Sequence, residues 1–173
     1  MIEILLHGRG GQGAFTAARI LGAAWVQKGE TYHALAFPSF GPERRGAPVR
    51  AFAKLDLKPI NNRSEIQKSD FIVYLDDTLF DDGALTGLKP EGKIVLNTAK
   101  KHPDPRIVAL DANRIAGEVL GRPIANTAML GALAALCPEI TLAELEAAIA
   151  TVMPVRLQEK NVAVVRRARG AMA

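Results

Sequence analysis

Hydrophobic residues recur along this chain at two spacings, and the changes between the spacings mark out its elements. Ile2-Glu3-Ile4-Leu5-Leu6 is a short apolar run of strand length. It gives way to His7-Gly8-Arg9-Gly10-Gly11-Gln12-Gly13, after which Phe15, Ala18, Leu21, Gly22, Trp25 and Val26 fall at helical spacing. The spacing predicts a helix over 14–28, stopped by Gly29. A second strand is expected over 31–37, soon enough to complete a β–α–β unit with a right-handed crossover. Positions 49–55 alternate apolar and basic residues and read as another strand. The runs at 71–75, 93–97 and 107–110 are nearly continuous in apolar residues, which suits strands of a parallel sheet covered on both faces. Between the first two of these, 77–88 is short and helix-like.

The remainder reads as helical. A helix over 112–120 should end at Gly121, with Pro123 forbidding continuation. Asn126 can cap a helix over 127–136 that is apolar nearly all round, and Thr141-Leu142-Ala143-Glu144 is a capping box opening a helix to about 151. A basic helix over 159–169 closes the chain. The pattern predicts an α/β fold: a Rossmann-like doubly wound sheet with a glycine-rich first β–α turn and C-terminal helices, in one domain over 1–173.

Composition narrows the function. At 173 residues, 49% hydrophobic and 23% charged, the chain has the balance of a globular protein. Its apolar runs are too short for a bilayer and no signal peptide precedes the first strand, so a cytoplasmic location without membrane contact is expected. The net charge of +4 is spread out except at Arg44-Arg45 and at Arg166, Arg167 and Arg169. Aromatic residues are only 5% and do not interleave with the basic ones, which argues against nucleic acid and favours an anionic cofactor or an acidic partner subunit. The one cysteine, Cys137, cannot form an internal disulfide or supply the four thiolates of an iron–sulfur cluster, and its apolar surroundings suggest a small buried side chain.

Chemistry concentrates in two stretches. Gly8, Gly10 and Gly13 fit a G-x-G-x-x-G spacing with a strand before and a helix after, so backbone N–H groups and a helix N-terminus can receive a phosphate or carboxylate. The same glycines can also serve close strand–helix packing. Arg9 and Gln12 favour the ligand reading, being free to face one. A nicotinamide dinucleotide is disfavoured: the second strand ends at Pro38-Ser39 without the ribose-binding acid, and Glu30 precedes it. The second stretch, Phe37-Pro38-Ser39-Phe40-Gly41-Pro42-Glu43-Arg44-Arg45-Gly46-Ala47-Pro48-Val49, is stiffened by glycine and proline. Arg44 and Arg45 there suit a carboxylate, a phosphate or an acidic surface, the alternative being a local salt bridge with Glu43 or a solvated turn. Asp77 reads as a helix cap beside Asp76, with no metal implied. Of the scattered His7, His33 and His102, only His7 adjoins the glycine turn closely enough to be a site candidate. There is no nucleophile–base pair, no catalytic residue and no metal cluster in this reading.

Together, His-Gly-Arg-Gly-Gly-Gln-Gly and Phe-Gly-Pro-Glu-Arg-Arg-Gly-Ala-Pro-Val resemble the gamma subunit of the 2-oxoacid:acceptor (pyruvate:ferredoxin-type) oxidoreductases. The resemblance continues through Lys58-Pro59-Ile60, Asn126-Thr127-Ala128-Met129-Leu130-Gly131-Ala132 and Glu159-Lys160-Asn161-Val162, so it covers nearly the whole chain. It implies a multi-subunit enzyme that decarboxylates a 2-oxoacid, pyruvate first and aryl or branched 2-oxoacids next, and transfers the acyl group to coenzyme A. Electrons pass to ferredoxin or, through a flavin subunit, to NAD(P). Thiamine diphosphate, Mg²⁺ and [4Fe-4S] clusters are then expected on alpha, beta and delta (ferredoxin-like) partner subunits. The gamma chain supports assembly and helps accommodate coenzyme A. The residues implied for coenzyme A or the partner interface are Gly8, Arg9, Gly10, Gly11, Gln12 and Gly13 with Glu43, Arg44, Arg45 and Gly46. The rival reading is a stand-alone nucleotide-binding or regulatory module of Rossmann-like fold.

Overall fold

A computed structural model describes residues 1–39 and 44–172. Six strands form one sheet: β1 (Ile2–Arg9), β2 (His33–Pro38), β3 (Pro48–Asp56), β4 (Ser69–Tyr74), β5 (Leu88–Asn97) and β6 (Ile107–Leu110). Five α-helices accompany them: α1 (Ala14–Val26), α2 (Ala112–Leu120), α3 (Asn126–Leu136), α4 (Leu142–Val152) and α5 (Val155–Gly170). The stretch read as helix-like between β4 and β5 is a pair of 3₁₀ turns, Asp77–Leu79 and Asp82–Gly87.

The strand order is β2-β3-β1-β4-β5-β6. The apolar runs assigned to a parallel sheet do run parallel, β4 with β5 and β5 with β6, and β1 joins them by pairing parallel with β4. The expected β–α–β unit differs in one respect. β3 lies between β1 and β2 and runs antiparallel to both, making the sheet mixed.

Alternation along the strands divides the core. Ile4 and Leu6 of β1, Ala51, Ala53 and Leu55 of β3, and Val73 and Val95 face a large core to which all five helices contribute. Ile72, Tyr74, Ile94 and Leu96 face a smaller one, closed by Leu79, Phe80, Ala84 and Leu85 of the 3₁₀ segment. The helices therefore gather on one face of the α/β sheet, and turns cover the other. On that second face Lys54, 2% exposed, is buried because its ammonium donates to the carbonyls of Asn62 (3.0 Å) and Ser64 (2.7 Å) in the loop that follows β3.

Local chemistry sets the helix ends. The Thr141–Glu144 capping box forms as the sequence predicts. Asn126 is not a cap; it opens α3 from inside, its amide accepting from Thr127 N–H (2.9 Å) and donating to the Gly13 carbonyl (3.4 Å). α5 starts at Val155, directly after Pro154, whose φ of −55° leads into a helix that 159–169 alone did not disclose. Thr127 donates to Asn161 (2.8 Å) in the buried α3–α5 contact, and a Cβ on Gly131 would collide with the Val165 carbonyl. The family-like stretches around 126–132 and 159–162 thus close the helical layer.

Candidate functional site

β1 continues to Arg9, so Gly8 belongs to the strand and not to the turn. Its missing side chain leaves room for Leu75, whose Cδ1 would lie 3.2 Å from a Cβ there. The turn proper is Gly10 to Gly13. Gly11 and Gly13 have φ of 94° and 82°, the left-handed region where glycine is favoured. Gly13 is the N-cap of α1 and offers no side chain, so no side-chain cap closes that helix N-terminus.

Gly10 explains why the two distinctive stretches occur together. Its N–H donates to the Ala47 carbonyl (2.8 Å), and its carbonyl accepts from Gly46 N–H (3.0 Å). Ala47 N–H closes a turn on the Arg44 carbonyl (3.0 Å), and a Cβ on Gly10 would strike that same Arg44 carbonyl oxygen. Main-chain contacts therefore seat the arginine segment on the glycine turn, leaving the Arg44 and Arg45 side chains exposed. Glu43, the other half of the expected local salt bridge, lies outside the described residues.

The side chains of Arg9 and Gln12 do not point freely outward. Both converge on Asp76, just beyond the end of β4: Arg9 Nε donates to Asp76 Oδ2 (3.2 Å) and so does Gln12 Nε2 (3.0 Å). Arg9 also donates through Nη1 to the Gly46 carbonyl (3.1 Å) and through Nη2 to Thr78 Oγ1 (2.9 Å). Gln12 Oε1 accepts from Arg9 N–H (2.7 Å). Asp76, not Asp77, caps the first 3₁₀ turn, accepting from Thr78 N–H (3.0 Å) and Oγ1 (2.5 Å). Burial acts to raise the Asp76 carboxyl, but hydrogen bonds from Thr78 and Gln12 and the Arg9 charge outweigh it and hold the pKa below its ordinary value. Asp76 is the site residue that sequence reasoning passed over. The available signal was an acid at the end of the strand beside a turn carrying Arg9 and Gln12.

His7 is stacked on Tyr74, ring centroids 4.5 Å apart and planes 3° from parallel. Burial, helped by the Arg50 charge, lowers its pKa to about 4, so it is a neutral aromatic at neutral pH. Cys137 is buried, and burial together with its hydrogen bond to Glu139 raises the thiol to about 12. The basic run on α5 is largely occupied: Arg166 pairs with Glu146 (2.6 Å) and Arg167 with Glu118.

Two clefts flank Gly11 at the C-terminal end of β1. The larger, about 350 Å³, is lined by Arg9, Gly11, Phe15, Thr16, Pro38 and Arg50 among others. The smaller, about 150 Å³, lies between Gly11-Gln12 and Pro123 to Ala125. Arg50 and Arg9 line the larger cleft beside the open N-terminus of α1, each of them ion-paired, Arg50 with Glu65 (3.0 Å) and Arg9 with Asp76 (3.2 Å). The α1 N-terminus is the feature there whose polarity suits an anion, and Phe15 and Val49 supply apolar surface beside it. Among the described residues no group of three or more His, Cys, Asp or Glu side chains is placed to hold a metal ion.

The family model for pyruvate ferredoxin/flavodoxin oxidoreductase matches residues 3–171. A gamma subunit common to pyruvate and ketoisovalerate oxidoreductases in Pyrococcus furiosus is 44% identical, the alignment covering 97% of this chain and 95% of that protein. A pyruvate synthase subunit PorC of Methanothermobacter thermautotrophicus is also 44% identical, over 97% of this chain and 94% of that one. Among solved structures, a pyruvate oxidoreductase subunit PORC from Thermotoga maritima superposes with a TM-score of 0.83 at 32% identity, covering 98% of this chain and 95% of that chain.

Proposed function

This chain belongs to the pyruvate ferredoxin/flavodoxin oxidoreductase family, and from that premise we propose that it is the gamma subunit of a 2-oxoacid oxidoreductase complex. The complex converts a 2-oxoacid and coenzyme A to acyl-CoA and CO₂, releasing two electrons and a proton; pyruvate is the first substrate to test, with ferredoxin or NAD(P) as acceptor. The observation that carries this reading is likeness from end to end: 44% identity to gamma-type subunits over 97% of the chain.

The chain's own chemistry agrees with a supporting role. One buried cysteine with its thiol raised to about 12 does not fit a cluster that takes four thiolates. Thiamine diphosphate and its Mg²⁺ are expected, by the same family likeness, on other subunits. These groups are assigned to the alpha, beta and delta subunits. What this chain offers is a cationic surface. The open N-terminus of α1, Arg50 in the larger cleft and the exposed Arg44 and Arg45 suit the phosphates of coenzyme A or an acidic partner face. Gly8, Gly10 and Gly13 shape that surface, and Arg9 and Gln12 brace it through Asp76.

The test is to recover the tagged chain from its host without oxygen, identify its companions by mass and assay iron and thiamine diphosphate. A brown complex containing both is expected. A colourless chain without partners overturns the assignment and favours a stand-alone nucleotide-binding module.

A further inference from the structure

The outer edge of the sheet at β2 is built to be paired. Tyr32-His33-Ala34-Leu35-Ala36-Phe37-Pro38 contains no Asp, Glu, Lys or Arg, although an exposed sheet edge is ordinarily guarded by charge, a bulge, a central proline or brevity. The opposite edge has such protection: β6 is only four residues long, and the Arg106–Asp104 ion pair (2.7 Å) stands at its start. β2 has six residues in unbroken register with β3.

The direction of its free hydrogen-bonding groups follows from that register. Ser39 N–H donates to the Arg50 carbonyl (2.8 Å), so Ser39 and Arg50 are a hydrogen-bonded pair. Such pairs alternate in an antiparallel ladder; Phe37, Leu35 and His33 therefore bond inward to β3, while the N–H and C=O of Ala34 and Ala36 point away from the sheet. Among the described residues no hydrogen bond reaches these outward groups. Leu35 is only half-buried and is part of neither core.

We infer that β2 pairs with β2 of a second copy of this chain, antiparallel about a two-fold axis at Leu35. In this register Ala34 of one copy exchanges both main-chain bonds with Ala36 of the other, and the two-fold repeats the exchange. Leu35 meets Leu35, and His33 meets Phe37, so apolar faces coincide with no charge to bury. The two sheets become one, and the α1 helices of both copies come to lie on the same face of it. A two-fold pairing of this kind is isologous and closed, so it stops at the dimer.

Leu35→Cys tests the register directly. Cα atoms of a non-hydrogen-bonded antiparallel pair lie about 4.5 Å apart, inside the roughly 4.4–6.8 Å range of disulfides. The full chain carrying this substitution, and the anaerobic complex containing it, are treated with dithiodipyridine and sized without reductant. The native thiol Cys137 is buried, and the unsubstituted chain serves as the control. The expected product is a gamma–gamma disulfide of doubled mass. It should be lost when Ala36→Pro removes an outward N–H that no bond inside the sheet uses. Leu35→Lys, a milder change, should shift the unlinked chain from dimer to monomer in sedimentation. The inference is overturned by an absent link, a link that survives Ala36→Pro, a Leu35→Lys chain that sediments as the unsubstituted chain does, or a link to another subunit, which would assign the edge to that subunit. Recovery of the partner subunits is scored separately, so a failed link leaves the oxidoreductase assignment intact.

Discussion

Both oxygens of the Asp76 carboxylate are in use, one on the 3₁₀ turn that follows it and one on Arg9 and Gln12 of the glycine turn. A single acid thereby fixes two residues that local sequence presents as free to meet a ligand. His7 is a comparable case, because its environment is made by Tyr74, a residue far along the chain that β1–β4 pairing brings alongside. Burial first, and the Arg50 charge second, lower its pKa from 6.5 to about 4. A folded-state pKa below the unfolded value means that this stabilisation is complete above pH 6.5 and is lost as pH falls towards 4. At pH 4.5 the loss amounts to about 2–3 kcal/mol, each tenfold change in proton affinity being worth roughly 1.4 kcal/mol. Urea unfolding of the native chain and of His7→Phe, which retains a ring on Tyr74, should show that excess acid sensitivity only in the native chain. Equal pH dependence in the two proteins would show that His7 is not held neutral by the fold.

At the scale of elements, the glycine turn matters as a mount for the arginine segment. Gly10 and Gly11 adjoin in sequence but have different reasons to be glycine: a Cβ on Gly10 meets the Arg44 carbonyl, whereas one on Gly11 meets open space at a φ of 94°. Gly10→Ala should therefore break the main-chain bonds to Gly46 and Ala47 and cost about 2–3 kcal/mol. Gly11→Ala should cost about 1–2 kcal/mol of backbone strain and leave the segment seated. Limited trypsin digestion separates the two, since cleavage after Arg44 or Arg45 should accelerate in Gly10→Ala alone. Equal acceleration in both would show that Gly10 is not what seats the segment. Most elements could be read from periodicity, because spacing reports which residues are buried; α1, α2, β4 and the Thr141 capping box are examples. Spacing does not report which strands become neighbours. The insertion of β3 between β1 and β2 depends on pairings such as Ile4 with Ala53, and the sequence pattern of β3 would look the same in either position. The pairing of the glycine and arginine stretches was legible as a family resemblance, but the Gly10–Arg44 contact that requires it was not.

For the molecule as a whole, the helices occupy one face of the sheet, and Arg9, Arg50 and the segment of Arg44 and Arg45 lie at the C-terminal end of β1. The other notable basic cluster is bound up within the fold, Arg166 on Glu146 and Arg167 on Glu118, leaving the exposed Arg44 and Arg45 as the stronger candidates for an external anion. Their segment is held by main-chain contacts at Gly10, so their side chains can be removed without releasing it. Stability and function should then separate. Arg45→Ala should change the unfolding free energy by no more than about 0.5 kcal/mol, the usual range for an exposed substitution. In the assembled oxidoreductase, losing a charge-assisted contact of about 1.5 kcal/mol should raise the KM for coenzyme A roughly tenfold while kcat changes little. Arg44→Ala measured alongside identifies which guanidinium makes the contact. If the arginines face a partner subunit instead, KM stays constant and the complex dissociates at lower salt, as expected for an interface held by charge. An intact complex with unchanged KM and unchanged salt tolerance in both variants would exclude the segment from ligand and interface alike, leaving the larger cleft and Arg50 as the remaining seat for an anion.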